Sequence, residues 1–351
     1  MINQENTPAG SFPEIRQAEL AAVGYVNNHG GVNGHPLVLK VCITDGSPSG
    51  SSSCANQMVA DHVLLVSIGI DFGTSGDVPI LTKAGIPIIG GEPLLAPELT
   101  TTDAVFFAGG SAGAFPAQDA YIGEVLHAKK VSILYTANPA GTAAATTFGE
   151  DLLIKAGVPK SGIKLVGASA SATDYTPAVS AANADSPDAM MVLFAAVGCS
   201  RIMLAVASLG VTAKMFYAGS CLDKSVLTAG GAGANGSFFN SEWIPYNDTS
   251  NPQVALYHQV LTAADGSAAV FSGFSQTGFQ NIMNITAVLK TMGAPATLTG
   301  AQVLAKFKSL TNEPNFMAHP YTCNPVPVAS FPSVCNYNDR IVEYKTGSVT
   351  D

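Results

Sequence analysis

The chain has 351 residues, enough for two lobes that each bury a core of their own rather than one ordinary domain. It is 47% hydrophobic but only 12% charged, with a net charge of -9 and a pI near 5.0. An acidic chain so poor in Lys and Arg excludes a phosphate-backbone partner, so nucleic acid is set aside, and no apolar run of about 18 residues is present to span a membrane.

Met1-Ile2-Asn3-Gln4-Glu5 has neither a basic start nor an apolar stretch, so no signal peptide is read and Met1 is taken as a substitute start. Ser11-Phe12-Pro13-Glu14 has the form of a capping box, with Ser11 as cap. Apolar positions at Ile15, Ala18, Ala22, Val23 and Val26 then make a helical stripe that stops at Gly30-Gly31. Leu37 to Ile43 reads as a strand, the Ser-rich stretch Ser47 to Ser53 as a loop, and Cys54 to His62 as a helix. Short apolar runs follow at Leu64 to Ile70, Ile86 to Ile89, Val105 to Ala108, Val131 to Tyr135, Ala189 to Phe194 and Met215 to Ala218. Helices are expected over Pro116 to Ala128, Thr142 to Ala156, Thr176 to Ala184, Ser200 to Leu209, Pro252 to Ala264, Phe274 to Met292 and Ala301 to Ser309. Near-continuous apolar strands alternating with helices are what parallel sheets covered on both faces require, so the fold class is α/β.

Two breaks in the rhythm, Gly109-Gly110-Ser111-Ala112-Gly113 and Trp243-Ile244-Pro245-Tyr246-Asn247, are expected crossings between lobes, and a third is placed near Met317 to Tyr321. Lobe I is thus 1–112 with 246–318, and lobe II is 113–245 with 319–351. The prolines Pro314, Pro320, Pro325, Pro327 and Pro332 make the C-terminal segment an irregular strap rather than a helix. Six cysteines fall into Cys42/Cys54, Cys199/Cys221 and Cys323/Cys335 without zinc spacing. Nearest neighbours are paired because short loops close most readily, and three disulfides imply an oxidising compartment.

Several segments carry a family resemblance: Ala21 through Leu37 (AAVGYVNNHGGVNGHPL), Ala84-Gly85-Ile86-Pro87-Ile88-Ile89-Gly90, Ala96-Pro97-Glu98-Leu99-Thr100, Ala172 through Val179 (ATDYTPAV) and Ser186-Pro187-Asp188-Ala189. In order and spacing, from Ser11 to about Met292, the chain resembles the branched-chain-amino-acid-type periplasmic binding proteins. The resemblance implies two α/β lobes joined by three crossovers, a small polar organic ligand between them, an ABC transporter permease as partner, and no cofactor. It also implies an exported monomer, periplasmic or a cell-surface lipoprotein of a bacterium, that reaches the membrane only through the transporter or a lipid anchor absent from this chain. Such proteins begin with a full strand, of which only Met1-Ile2-Asn3 is expected here.

Open parallel sheets bind ligands at the carboxyl ends of their strands. Those ends are Asp71-Phe72-Gly73-Thr74-Ser75, Gly90-Gly91-Glu92, Ala137-Asn138-Pro139-Ala140, Ala195-Ala196-Val197 and Gly219-Ser220. Gly73, Thr74 and Ser75 offer two hydroxyls and, at a helix start, free N–H groups for a carboxylate; the resemblance places a carboxylate-binding serine in this loop, and the alternative is that Ser75 only caps its helix. The resemblance also makes Phe12, Phe274 and Phe279 aromatic candidates, although a phenylalanine on a helix reads equally as core. The amino-group-binding acid implied by the resemblance falls near Ser220, and its tyrosines near Ala140 and Ala195 or Ala196. None of these types is kept, which leaves a ligand ammonium without its counter-charge unless Asp71 or Glu92 supplies one. The histidines are scattered without metal or triad spacing, no nucleophile elbow is present, and no enzyme is read. A signalling receptor's sensing domain and a secreted hydrolase are the alternative functions.

Overall fold

A computed structural model describes residues 1–7, 10–194, 196–293, 297–345 and 347–350. The chain divides into two compact units, Met1–Gly113 with Glu242–Asn338 and Ala114–Ser241 with Asp339–Asp351, so it passes from one to the other three times.

The first unit is built on a parallel sheet. Its strands are β1 (Ile2–Gln4), β2 (Cys42–Thr44), β3 (Val66–Ile68), β4 (Ile88–Gly91) and β5 (Ala104–Val105), in the order β2-β1-β3-β4-β5. The opening strand, expected to be truncated, is short but present, and it pairs with β2 on one side and β3 on the other. Between the strands run α1 (Pro13–Asn28), α2 (Pro48–Ala60), α3 (Thr74–Ala84) and α4 (Ala96–Thr100); α11 (Pro252–Asp265), α12 (Gly273–Lys290) and α13 (Gly300–Lys308) return later in the chain. Successive strand residues point to opposite faces. Ile88, Ala104 and Phe106 join Ile2, Met58 and Leu81 under α2 and α3, whereas Ile89, Val105 and Phe107 join Val288, Val303 and Phe307 under α12 and α13.

Three local expectations change. The first helix has no capping box, because Phe12 is the N-cap, Pro13 opens the helix, and Ser11 Oγ instead accepts from the Asn6 N–H at 3.0 Å. The Ser-rich loop is the first half of α2, capped by Ser47, whose Oγ accepts from the Gly50 N–H at 3.1 Å. The strand read from Leu37 is confined to Cys42–Thr44.

The second unit carries β6 (Val131–Thr136), β7 (Ile163–Ala168), β8 (Ala189–Leu193), β9 (Lys214–Tyr217), β10 (Ser237–Ser241), β11 (Arg340–Lys345) and β12 (Ser348–Thr350), in the order β12-β11-β10-β9-β8-β6-β7. Strands β6 to β10 are parallel, and β11 and β12 run antiparallel at one edge. Its helices are α5 (Ser111–Ala120), α6 (Pro139–Ala144), α7 (Asp151–Lys155), α8 (Thr176–Asn183), α9 (Ala196–Leu209) and α10 (Lys224–Gly230). α5 starts five residues before Pro116, within the first unit, and continues as a π-turn over Tyr121–Val125.

The third crossing is not at Met317 to Tyr321. Residues 319–338 stay with the first unit because they extend its sheet edge: the Phe106 N–H donates to Ser333 O at 2.8 Å and the Cys335 N–H to Phe106 O at 3.1 Å. The chain crosses only after Asn338. The proline-bearing segment from Pro314 to Pro332 is irregular, as expected, with neither helix nor strand, and it is followed by β11 and β12, a strand pair that the sequence left unmarked. Cys42–Cys54, Cys199–Cys221 and Cys323–Cys335 are bonded. Cys42–Cys54 closes a loop of 12 residues' separation, so the double replacement Cys42→Ser, Cys54→Ser should cost about 3 kcal/mol. Urea melts of the replaced and oxidised parent proteins measure it; a loss under about 1 kcal/mol would show that the unfolded chain gains little freedom there.

Candidate functional site

The carboxyl ends of β1 and β3 and the first turns of α1, α3 and α12 bring three rings together. Phe12 lies edge-on to Phe72 with centroids 6.2 Å apart and edge-on to Phe274 at 5.4 Å. Phe72 is 38% exposed, and Phe12 and Phe274 are half-buried, so the group is an apolar surface rather than core. The Phe72 N–H donates to Gln4 Oε1 at 3.0 Å, which holds the loop after β3 against the end of β1.

Beside Phe72, α3 starts without a side-chain cap. Its N-cap is Gly73, not Ser75. Glycine is required there by close approach, since a Cβ would lie 2.1 Å from Ser51 Oγ and 2.4 Å from Ser47 O. The starts of α2 and α3 therefore sit against each other. Ser75 is exposed and makes no hydrogen bond among the described residues, while Thr74 is fully buried with an unpartnered Oγ1. The first N–H groups of a helix have no intrahelical acceptors, and the dipole favours negative charge.

Asp71 does not face this surface. It is 1% exposed and accepts from Thr44 Oγ1 at 2.9 Å, Ser51 Oγ at 2.5 Å and the Gly73 N–H at 3.0 Å, which makes it the post on which the two helix starts are set. Phe279 is also core: it is fully buried, edge-on to Tyr257 at 5.6 Å and beside Phe316. It sits five residues beyond Phe274 on α12, whose inner face is buried along its whole length, so the register that exposes Phe274 buries Phe279. Gly91 and Glu92 are buried at the end of β4, where the Gly91 N–H donates to Asn281 Oδ1 at 3.1 Å and the Glu92 N–H to Gly69 O at 3.0 Å.

In the second unit Asn138 is a helix cap, its Oδ1 accepting from the Gly141 N–H at 2.7 Å. Ser220 is half-buried in the turn after β9. That turn is fixed twice: Cys221 is bonded to Cys199 in the first turn of α9, and the Gly219 N–H donates to Asn240 Oδ1 at 2.8 Å. Ala195 lies outside the described residues, and for Ala196 only its place at the start of α9 is described. Two residues the sequence reading missed complete this end of the sheet. Gln118 Nε2 donates to Tyr217 O at 2.6 Å and to Asn240 Oδ1 at 3.2 Å, with both side chains buried. Nothing local in Gln118 or Asn240 marks them, since the pairing joins α5 to β10 across more than a hundred residues.

Residues 5–324 match the family described as periplasmic binding protein. The chain belongs to the periplasmic binding protein family. No curated protein matches this family member. Among solved structures, the fatty acid ABC transporter substrate-binding protein of Thermomonospora curvata is similar with a TM-score of 0.81 at 15% identity, over 99% of this chain and 90% of that one. An extracellular ligand-binding receptor from Verminephrobacter eiseniae gives 0.79 at 16% identity, over 100% and 99%. The branched-chain amino acid transporter substrate binding protein of Streptococcus pneumoniae, in complex with isoleucine, gives 0.77 at 15% identity, over 100% and 97%. The likeness covers whole chains, so this periplasmic binding protein has the type I fold, two units of mostly parallel sheet flanked by helices.

Proposed function

We propose that this periplasmic binding protein is the extracytoplasmic receptor of an ABC importer and that it binds, without turnover, an amino acid or related small organic acid. The acidic group of the ligand is held at the start of α3 by the exposed Ser75 hydroxyl and the first N–H groups of the helix, with Thr74 buried beneath them, and its apolar part lies on Phe12, Phe72 and Phe274. The observation that carries this reading is a helix start that no side chain caps, with the unpaired Ser75 hydroxyl beside three gathered rings. Family membership supports the receptor role, and two structural neighbours are by name parts of transporters for a fatty acid and for branched-chain amino acids. Gly91 and Glu92, and on the second unit Asn138, Ser220 and the start of α9, are kept as further ligand contacts because they end or follow strands on the side where open sheets bind.

A thermal-shift screen of amino acids, aromatic acids and short organic acids identifies the ligand, because a molecule bound only by the folded state raises the melting temperature. Replacing Thr74 and Ser75 together by Ala should then weaken its binding by about 1–3 kcal/mol in calorimetric titration. Folding stability should fall by only about 1 kcal/mol, from the buried Thr74 methyl, because Gly73 rather than Ser75 is the cap. Unchanged affinity would place the ligand elsewhere.

A further inference from the structure

The first turn of α3 carries a second feature that the ligand reading does not use. Asp77 is one turn on from Thr74, on the same buried face, and is itself fully buried. Neither of its carboxyl oxygens has a hydrogen-bond partner. The groups around it offer no positive charge. Asp71 lies at the base of the same loop with three donors already engaged on it. Glu98 of α4 spends Oε2 on the Leu94 and Leu95 N–H groups, both at 3.0 Å, and leaves Oε1 unpartnered. α2, packed along α3, has no charged residue from Pro48 to Ala60; Asp45 before it is exposed and bound to Ser47, and Lys83 in the last turn of α3 is exposed.

A carboxylate buried without donors or a cation is costly, and the group takes a proton instead. Burial first, and the charge of Asp71 second, raise the Asp77 carboxyl to about 7 against the weaker pull of the Val78 and Asp77 N–H groups, which lie near it without making a well-formed hydrogen bond; burial raises Glu98 as well, opposed by the Leu94 and Leu95 N–H groups, with the charges of Asp77 and Asp71 adding to the rise.

We infer that Asp77 is a proton-linked control on the α3 site: protonated, it leaves the positive end of the helix free for an anionic ligand, and ionised, it opposes that ligand from one turn behind. The inference rests on the ligand reading proposed for this helix start. Its physical basis is that the helix start is worth only a fraction of a positive charge, about half, which a full negative charge within the first turn offsets. By linkage, binding an anion there must also make Asp77 hold its proton more strongly, so the receptor takes up protons as it loads.

The test uses benzoate and L-isoleucine as probes, with the parent and Asp77→Asn, titrated calorimetrically from pH 5.5 to 8.5. The parent should lose about three- to tenfold in affinity for a bound probe across that range while Asp77→Asn stays flat. A parent whose affinity does not change with pH, or a variant that falls in parallel with it, would overturn the inference and leave the ligand reading standing. Carbon-13 carboxyl spectra of the ligand-free parent judge the proton without any probe. The signal missing in Asp77→Asn should titrate near neutrality, and titration near pH 4 would overturn the inference outright. If neither probe binds at any pH while Thr74→Ala, Ser75→Ala leaves the screened ligand's affinity intact, it is the ligand reading that fails, and the linkage with it.

Discussion

Gly91→Ala should destabilise the first unit by roughly 4 kcal/mol or more, the range reserved for backbone strain combined with a clash that cannot relax. Two residues of β4 are accommodated where β3 has one, since Val66 pairs with Ile88 but Ile68 pairs with Gly91. That bulge turns Gly91 to a φ of +129°, and an added Cβ would lie 1.7 Å from Ile68 O. The atom it meets is a carbonyl in the middle of the sheet, so relief means breaking the pairing of β3 with β4. Urea unfolding of the variant measures the loss, and a cost below about 1 kcal/mol would show that the strand end can slide. On the proposed ligand reading, affinity should fall along with stability, because Glu92 follows directly.

Asp119→Asn should do the opposite, and increasingly so as the pH rises above about 4. Asp119 is on α5 between Phe115 and Ile122, both of which pack into the second unit's core; it is 1% exposed and neither carboxyl oxygen has a partner. Burial pushes its carboxyl up to about 9. From the ordinary carboxyl value of about 4 up to that point the folded chain holds a proton that the unfolded chain has released, so stability falls as pH rises through this window. Between pH 5 and pH 8 this amounts to about 4 kcal/mol in the parent. Asparagine keeps the shape and does not titrate. Urea midpoints of the two proteins should nearly coincide at pH 4 and separate in favour of the variant at pH 8; parallel pH profiles would mean that Asp119 ionises in the folded state at no cost. Asp77 adds to the same trend over the lower part of the window.

What the sequence could show was set by which signals are local. The buried parallel strands were legible because both faces are covered: Val131 to Tyr135 and Ala189 to Phe194 read as strands and are β6 and β8. β7 was missed because it is an edge strand whose Ile163–Ala168 alternates half-buried and exposed residues, so it never forms a continuous apolar run. Proline misled in both directions. Pro79 lies inside α3 and Pro116 inside α5, so a reading that lets proline punctuate helices leaves the first unmarked and starts the second too late. In the site, the helix start after β3 followed from the strand–helix rhythm and its glycine. The role of Asp71 did not, because an aspartate after a strand looks the same whether it faces solvent or anchors Thr44 and Ser51. The two phenylalanines of α12 differ only in the phase of the helix, which depends on what α1 and α11 bury and not on any neighbour in sequence.

The interleaving of the two units has a bearing on how the chain is made. Strands β6 to β10 come from one uninterrupted stretch, so the parallel part of the second sheet can close while the first unit still lacks α11, α12 and α13. Its free margin is then β10, because β11 and β12 are the last strands to be synthesised. A row of unpaired N–H and C=O groups along an open strand edge is a template for a stranger's strand. The closing hairpin is therefore a guard on the nascent sheet, and a chain halted before Arg340 would carry its most adhesive edge open.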